Sequence, residues 1–176
     1  MPTESSSLLI RLALLVALAC ALEQELAFSQ MTGDEAELGR LRAKAEEAMG
    51  NDDPDGAALS MGRAALLAKQ LGLKHREQVA VASLYRAAEP LFRSQEQGYR
   101  AMALFRRAGG QLPASSGVCG SLALAEAAAQ QAVSLLSRGF DEQLAAPLKD
   151  QAHGLRQSAD DWVVVLASMI TDYQCP

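Results

Sequence analysis

Tyr85-x2-Ala88-Glu89-x2-Phe92, followed by Ala101-x3-Phe105-x2-Ala108 and then Pro113, is the stretch on which the fold turns. Its bulky and small residues recur every three or four positions, the spacing that gathers one face of an α-helix. Strict alternation extends nowhere over a useful length, so the chain is expected to be all-α. Read outward, the same period gives a series of helices. The first opens at a capping box, Thr32-Gly33-Asp34-Glu35, and carries Leu38, Leu41, Ala45, Ala48 and Met49 on one side. The run Gly50-Asn51-Asp52-Asp53-Pro54-Asp55-Gly56 stops it, with Asp53 or Asp55 capping a second helix that carries Ala57, Ala58, Met61, Ala64, Ala65 and Ala68. A third helix is expected over about 76–93 and a fourth over about 97–108, ended by Gly109-Gly110. Beyond a loop rich in glycine and serine come helices over about 121–137 and 142–157, broken at Arg138-Gly139-Phe140-Asp141. Ser158 with Asp161 caps a last helix holding Trp162, Val165, Leu166, Met169 and Tyr173, with Trp162 as its core anchor. Pro90 and Pro147 fall inside these helices, and each should kink its helix or mark a misplaced boundary.

Laid over itself, the chain repeats. Going back from Tyr85 finds Leu41-x2-Lys44-Ala45-x2-Ala48, then Ala57-x3-Met61-x2-Ala64; going forward finds Ala128-x2-Gln131-Ala132-x2-Leu135, then Leu144-x3-Leu148. The pattern resembles the tetratricopeptide repeat: a bulky residue, a small pair, an aromatic, a turn, Ala-x3-Phe, then Pro. It departs from that family at Glu89, where a small residue is preferred, and its spacing is about ten residues longer than the family's. The resemblance implies antiparallel helical hairpins stacked as a short right-handed superhelix over 30–158, with a capping helix and tail over 159–176. It also implies a non-enzymatic module that binds a protein or peptide in a groove lined by the first helix of each hairpin. A single hairpin cannot bury its apolar face, whereas three stacked ones with a cap can.

Charge narrows the partner. The chain has 176 residues, 49% of them hydrophobic, 21% charged and 5% aromatic, with a formal net charge of −5. That composition excludes a disordered chain, and the acidity argues against a general nucleic-acid binder. Within it, residues 63–107 carry nine basic and three acidic side chains, between acidic flanks. An acidic partner is expected at such a basic centre. Arg86 and Arg93 lie seven apart, on one face of a helix, and Arg42 stands at the position equivalent to Arg86 one repeat earlier. These three are the candidate partner-binding residues, since guanidinium forks suit carboxylates. The alternative leaves them solvated or paired with Glu46 and Glu89. Arg100, Arg106 and Arg107, assigned to the next helix, read as a solvated outer face.

The first 29 residues read as an export signal. Leu12–Leu22 is an uncharged apolar run behind Arg11, too short for an ordinary bilayer-spanning helix and of the length of a signal core. Ala27-Phe28-Ser29 offers a cleavage site before Gln30, with a cut after Ala21 as the alternative and an uncleaved membrane anchor as the rival arrangement. The mature protein is then periplasmic or secreted, with no stable membrane insertion. Cys119 and Cys175 remain, an even number in an oxidising compartment. A bridge between them would pin the C-terminus to the middle of the chain; the alternative is two buried thiols.

Chemistry is sparsely represented. Asn51-x-Asp53-x-Asp55-Gly56 copies the start of a calcium loop, but Gly62 stands where a closing glutamate is needed. No phosphate loop, nucleophile elbow or metal-ligand spacing is present, so neither an enzyme nor a cofactor is expected. The rival to a binding module is a compact helical bundle holding a small ligand or metal.

Overall fold

The computed structural model describes residues 33–176. The expected signal segment, both of its cleavage sites and Thr32 of the capping box lie outside the described residues. Among those described there is no strand, and the order is α1 (Gly33–Gly50), α2 (Pro54–Lys74), α3 (Val79–Arg107), α4 (Ser116–Leu136), a 3-10 turn (Phe140–Gln143) and α5 (Ala146–Asp172). The protein is all-α. No described helix is long and apolar enough to cross a membrane.

Two expected breaks are absent. The third and fourth expected helices form one, the 29-residue α3, and the last two form one, the 27-residue α5. The reason lies in tertiary contacts. Ser94, in the expected gap, is buried in mid-helix, where its hydroxyl donates to the Ala125 carbonyl (2.6 Å) and accepts from Trp162 (2.9 Å). Glu96 is held by arginines of its own helix. In α5, Leu155, Ala159, Trp162, Leu166 and Met169 continue one buried face through Ser158, so packing overrides the local stop signal. Both halves of the stretch Tyr85…Phe105 therefore lie on one helix rather than on the two arms of a hairpin, and the expected division at residue 158 falls inside α5.

The prolines divide. Pro147 lies in the first turn of α5, where its missing N–H costs nothing, and so marks a boundary set too early at residue 142. Pro90 sits inside α3, which continues through it although the bond to the Arg86 carbonyl is lost. Asp53 does cap α2, its carboxylate accepting from the Gly56 N–H at 2.9 Å.

Helix α3 is the centre: α2 and α4 pack along it, and α5 packs against both α4 and α3. Its Leu84, Tyr85, Leu91 and Phe92 are essentially inaccessible, and each fully buried side chain of this kind contributes about 1.5–3 kcal/mol. Between helices the buried surface is largely alanine. Ala57, Ala64 and Ala68 of α2, Ala87, Ala88 and Ala101 of α3, and Ala125, Ala129 and Ala132 of α4 have no exposed surface. Cys119 and Cys175 are disulfide-bonded, their Cα atoms 5.4 Å apart. The bridge holds the C-terminal tail beside the start of α4, helped by the Ala114 N–H donating to the Tyr173 carbonyl and by Tyr173 stacking on Phe105 at 4.1 Å.

Candidate functional site

Helix α2 buries Met61 and Leu71 but leaves three other leucines outside. Its alanines face the core, while Leu59, Leu66 and Leu73 stand 59%, 54% and 63% exposed. Seven residues apart, the three share one face and form an apolar ridge. Facing them, α3 carries Arg86, Arg93, Arg100 and Arg107, again at seven-residue steps. The short connection from Lys74 to Val79 turns α3 back along α2, so ridge and ladder run side by side. Leu73 and Arg86 line a cavity of about 250 Å³ at one end. Leu59, Leu66, Arg93, Arg100 and Arg107 line another of about 420 Å³ along the rest.

The ladder is organised by one buried carboxylate. Glu96, 8% exposed, pairs with Arg100 at 2.7 Å and Arg93 at 3.3 Å, and Arg93 also reaches Glu89 at 3.3 Å. Gly62 on α2 makes the room: a Cβ there would stand 3.1 Å from the Glu96 carboxyl carbon. Arg107 pairs with Asp55 at 2.8 Å. Arg86, Arg63 and Lys69 make no ion pair among the described residues. The two cavities together are lined by six cations and three carboxylates, so the groove keeps a surplus of positive charge.

The candidate arginines separate. Arg86 and Arg93 fall along this one groove. Arg42, on α1, lines neither cavity; its guanidinium lies over the Phe92 ring, 5.8 Å from the centroid. Arg100 and Arg107 belong with Arg86 and Arg93, an association hidden by the false break at Ser94–Glu96. The signal that finds them is the recurrence of arginine at every seventh position from 86 to 107. Arg106 points elsewhere, bonding the carbonyl and carboxylate of Asp52 in the α1–α2 turn. That turn uses its carboxylates structurally: Asp52 on Arg106, Asp53 on Gly56 and Asp55 on Arg107. Among the described residues no group of three His, Cys, Asp or Glu side chains is placed to hold a metal ion.

Comparison of the chain with protein-family models, curated proteins and solved structures found no match.

Proposed function

We propose that the protein is a non-enzymatic adaptor or assembly factor that captures an acidic segment of a partner protein in the α2–α3 groove, in an oxidising compartment outside the cytoplasm. The observation that carries the reading is the cation ladder of α3 beside the exposed leucines of α2. Arginine presents a planar fork to a carboxylate, and leucines beside it supply the desolvated contact that a charge pair alone lacks. The disulfide and the apolar run at 12–22 support the compartment. The α1–α2 pair, joined by a three-residue turn with Ala45, Ala48, Ala57 and Ala64 at its spacing, is the part for which we keep the tetratricopeptide-like hairpin as a proposal.

A photo-crosslinking residue placed at Leu66, with a matching one at exposed Leu124 of α4, tests this in an envelope extract. The expected product joins position 66 to a carboxylate-rich segment and disappears in the Arg86→Glu/Arg93→Glu protein. Crosslinks from position 124 alone, or products indifferent to the charge reversal, would contradict it.

A further inference from the structure

The period of the groove says more about its occupant than its charge does. Resting on the reading just given, we infer that the α2–α3 groove receives an amphipathic α-helix whose apolar stripe seats on Leu59, Leu66 and Leu73 and whose carboxylate flank faces the arginine ladder.

The repeat of the groove matches that of a helix. Both walls of the groove advance by seven residues, about 10.5 Å per step at helical rise. A helix laid alongside presents its side chains in rows with this same seven-residue step, and its knobs enter the spaces between those of its neighbours. An extended peptide places same-side residues about 6.7 Å apart, so it misses every second rung and meets only those about 20 Å apart. The ladder from Arg86 to Arg107 spans about 31 Å, the length of a helix of about 21 residues. Two antiparallel helices with an apolar ridge between cationic positions thus present the surface onto which a third helix packs. Charge fixes its chemistry: the partner needs glutamates or aspartates along one edge of its apolar stripe, and a basic amphipathic helix is repelled. A flat anionic bilayer offers the same charge but no knobs for the two cavities.

The test uses the full oxidised chain and two fluorescent peptides of about 21 residues with identical composition. One is helix-forming, with leucines at seven-residue and intervening four-residue steps and glutamates along one edge. The other alternates leucine and glutamate with period two. Vesicles of phosphatidylglycerol and phosphatidylcholine form a third arm. The expected result is saturable binding of the helical peptide, at least about tenfold tighter than its reordered partner. Binding should weaken about tenfold in Arg63→Glu/Arg86→Glu and again in Leu59→Ser/Leu66→Ser, all exposed positions, with unchanged circular dichroism. Equal, arginine-dependent binding of both peptides would overturn the helix and leave the acidic-segment reading standing. Binding of neither, or binding indifferent to Arg63 and Arg86, would overturn both. Groove-dependent binding to vesicles but not peptides would overturn both in favour of a membrane surface.

Discussion

The indole Nε1 of Trp162 donates to the Ser94 hydroxyl over 2.9 Å, joining α5 to the middle of α3 across 68 residues of sequence. Ser94 passes the bond on to the Ala125 carbonyl of α4, so one hydroxyl ties three helices together. Ser94→Ala leaves a buried indole N–H without its acceptor, which costs about 1–3 kcal/mol. Urea titration followed by far-ultraviolet circular dichroism should show that loss. Adding Trp162→Phe in the same background should cost less than it does in the wild type, because the shared bond is already gone.

Two glycines should respond in opposite senses to the same change. A Cβ at Gly98 would stand 2.5 Å from Trp162 Cζ2 and 3.2 Å from Cη2, whereas a Cβ at Gly154 meets nothing within 4 Å. Gly154→Ala is expected to raise stability by about 0.5–1 kcal/mol through helix propensity. Gly98→Ala gains the same propensity but forces the indole from its seat, and overpacking of that kind costs about 1–3 kcal/mol. Thermal melts of the two variants should therefore move to opposite sides of the wild type.

Reduction of Cys119–Cys175 should release the tail. The bridge spans a sequence separation of 56, for which loop-closure entropy gives about 4 kcal/mol. Reduced protein, or Cys119→Ser/Cys175→Ser, is expected to lose most of that stability. Amide exchange should accelerate first at Tyr173–Cys175, where the Tyr173 carbonyl bond and the ring stack on Phe105 depend on the pinned tail.

Alkaline pH should destabilise the fold through Tyr99 and Tyr173. Burial, aided by the Glu46 carboxylate, raises the Tyr99 phenol above its ordinary value of 10.0. Burial likewise raises Tyr173, with Asp172 adding and Arg106 opposing. The folded state thus holds these protons more tightly than the unfolded chain does. The associated stability is complete below the ordinary tyrosine value and is lost as pH rises through the folded one. Tyr99→Phe should flatten the fall of urea midpoint above about pH 10. An unchanged slope would contradict the assignment to Tyr99.

The helical class, an aspartate cap at Asp53 or Asp55, the chance of a Cys119–Cys175 bridge and the core role of Trp162 were legible because each rests on local spacing or on a simple count. The unbroken course of α3 through residues 94–96 and of α5 through Ser158 was not, because a local break or capping signal yields when a side chain or a helix face is claimed by distant residues. That error carried into the site. Splitting α3 at Ser94–Glu96 separated Arg86 and Arg93 from Arg100 and Arg107, and so concealed a ladder with one period. Leu59, Leu66 and Leu73 escaped for another reason. With alanine enough to fill the face of α2 toward α3, the larger leucines are left outside, the reverse of what hydrophobicity alone leads one to expect.

Amide chemical-shift mapping of the full chain, titrated with the helical acidic peptide, tests the groove most directly. Shifts are expected to concentrate between Leu59 and Leu73 and between Arg86 and Arg107, and to vanish in Arg63→Glu/Arg86→Glu. Shifts centred on Leu124 of α4 or Val164 of α5, or a peptide that leaves both walls of the groove unmoved, would contradict it.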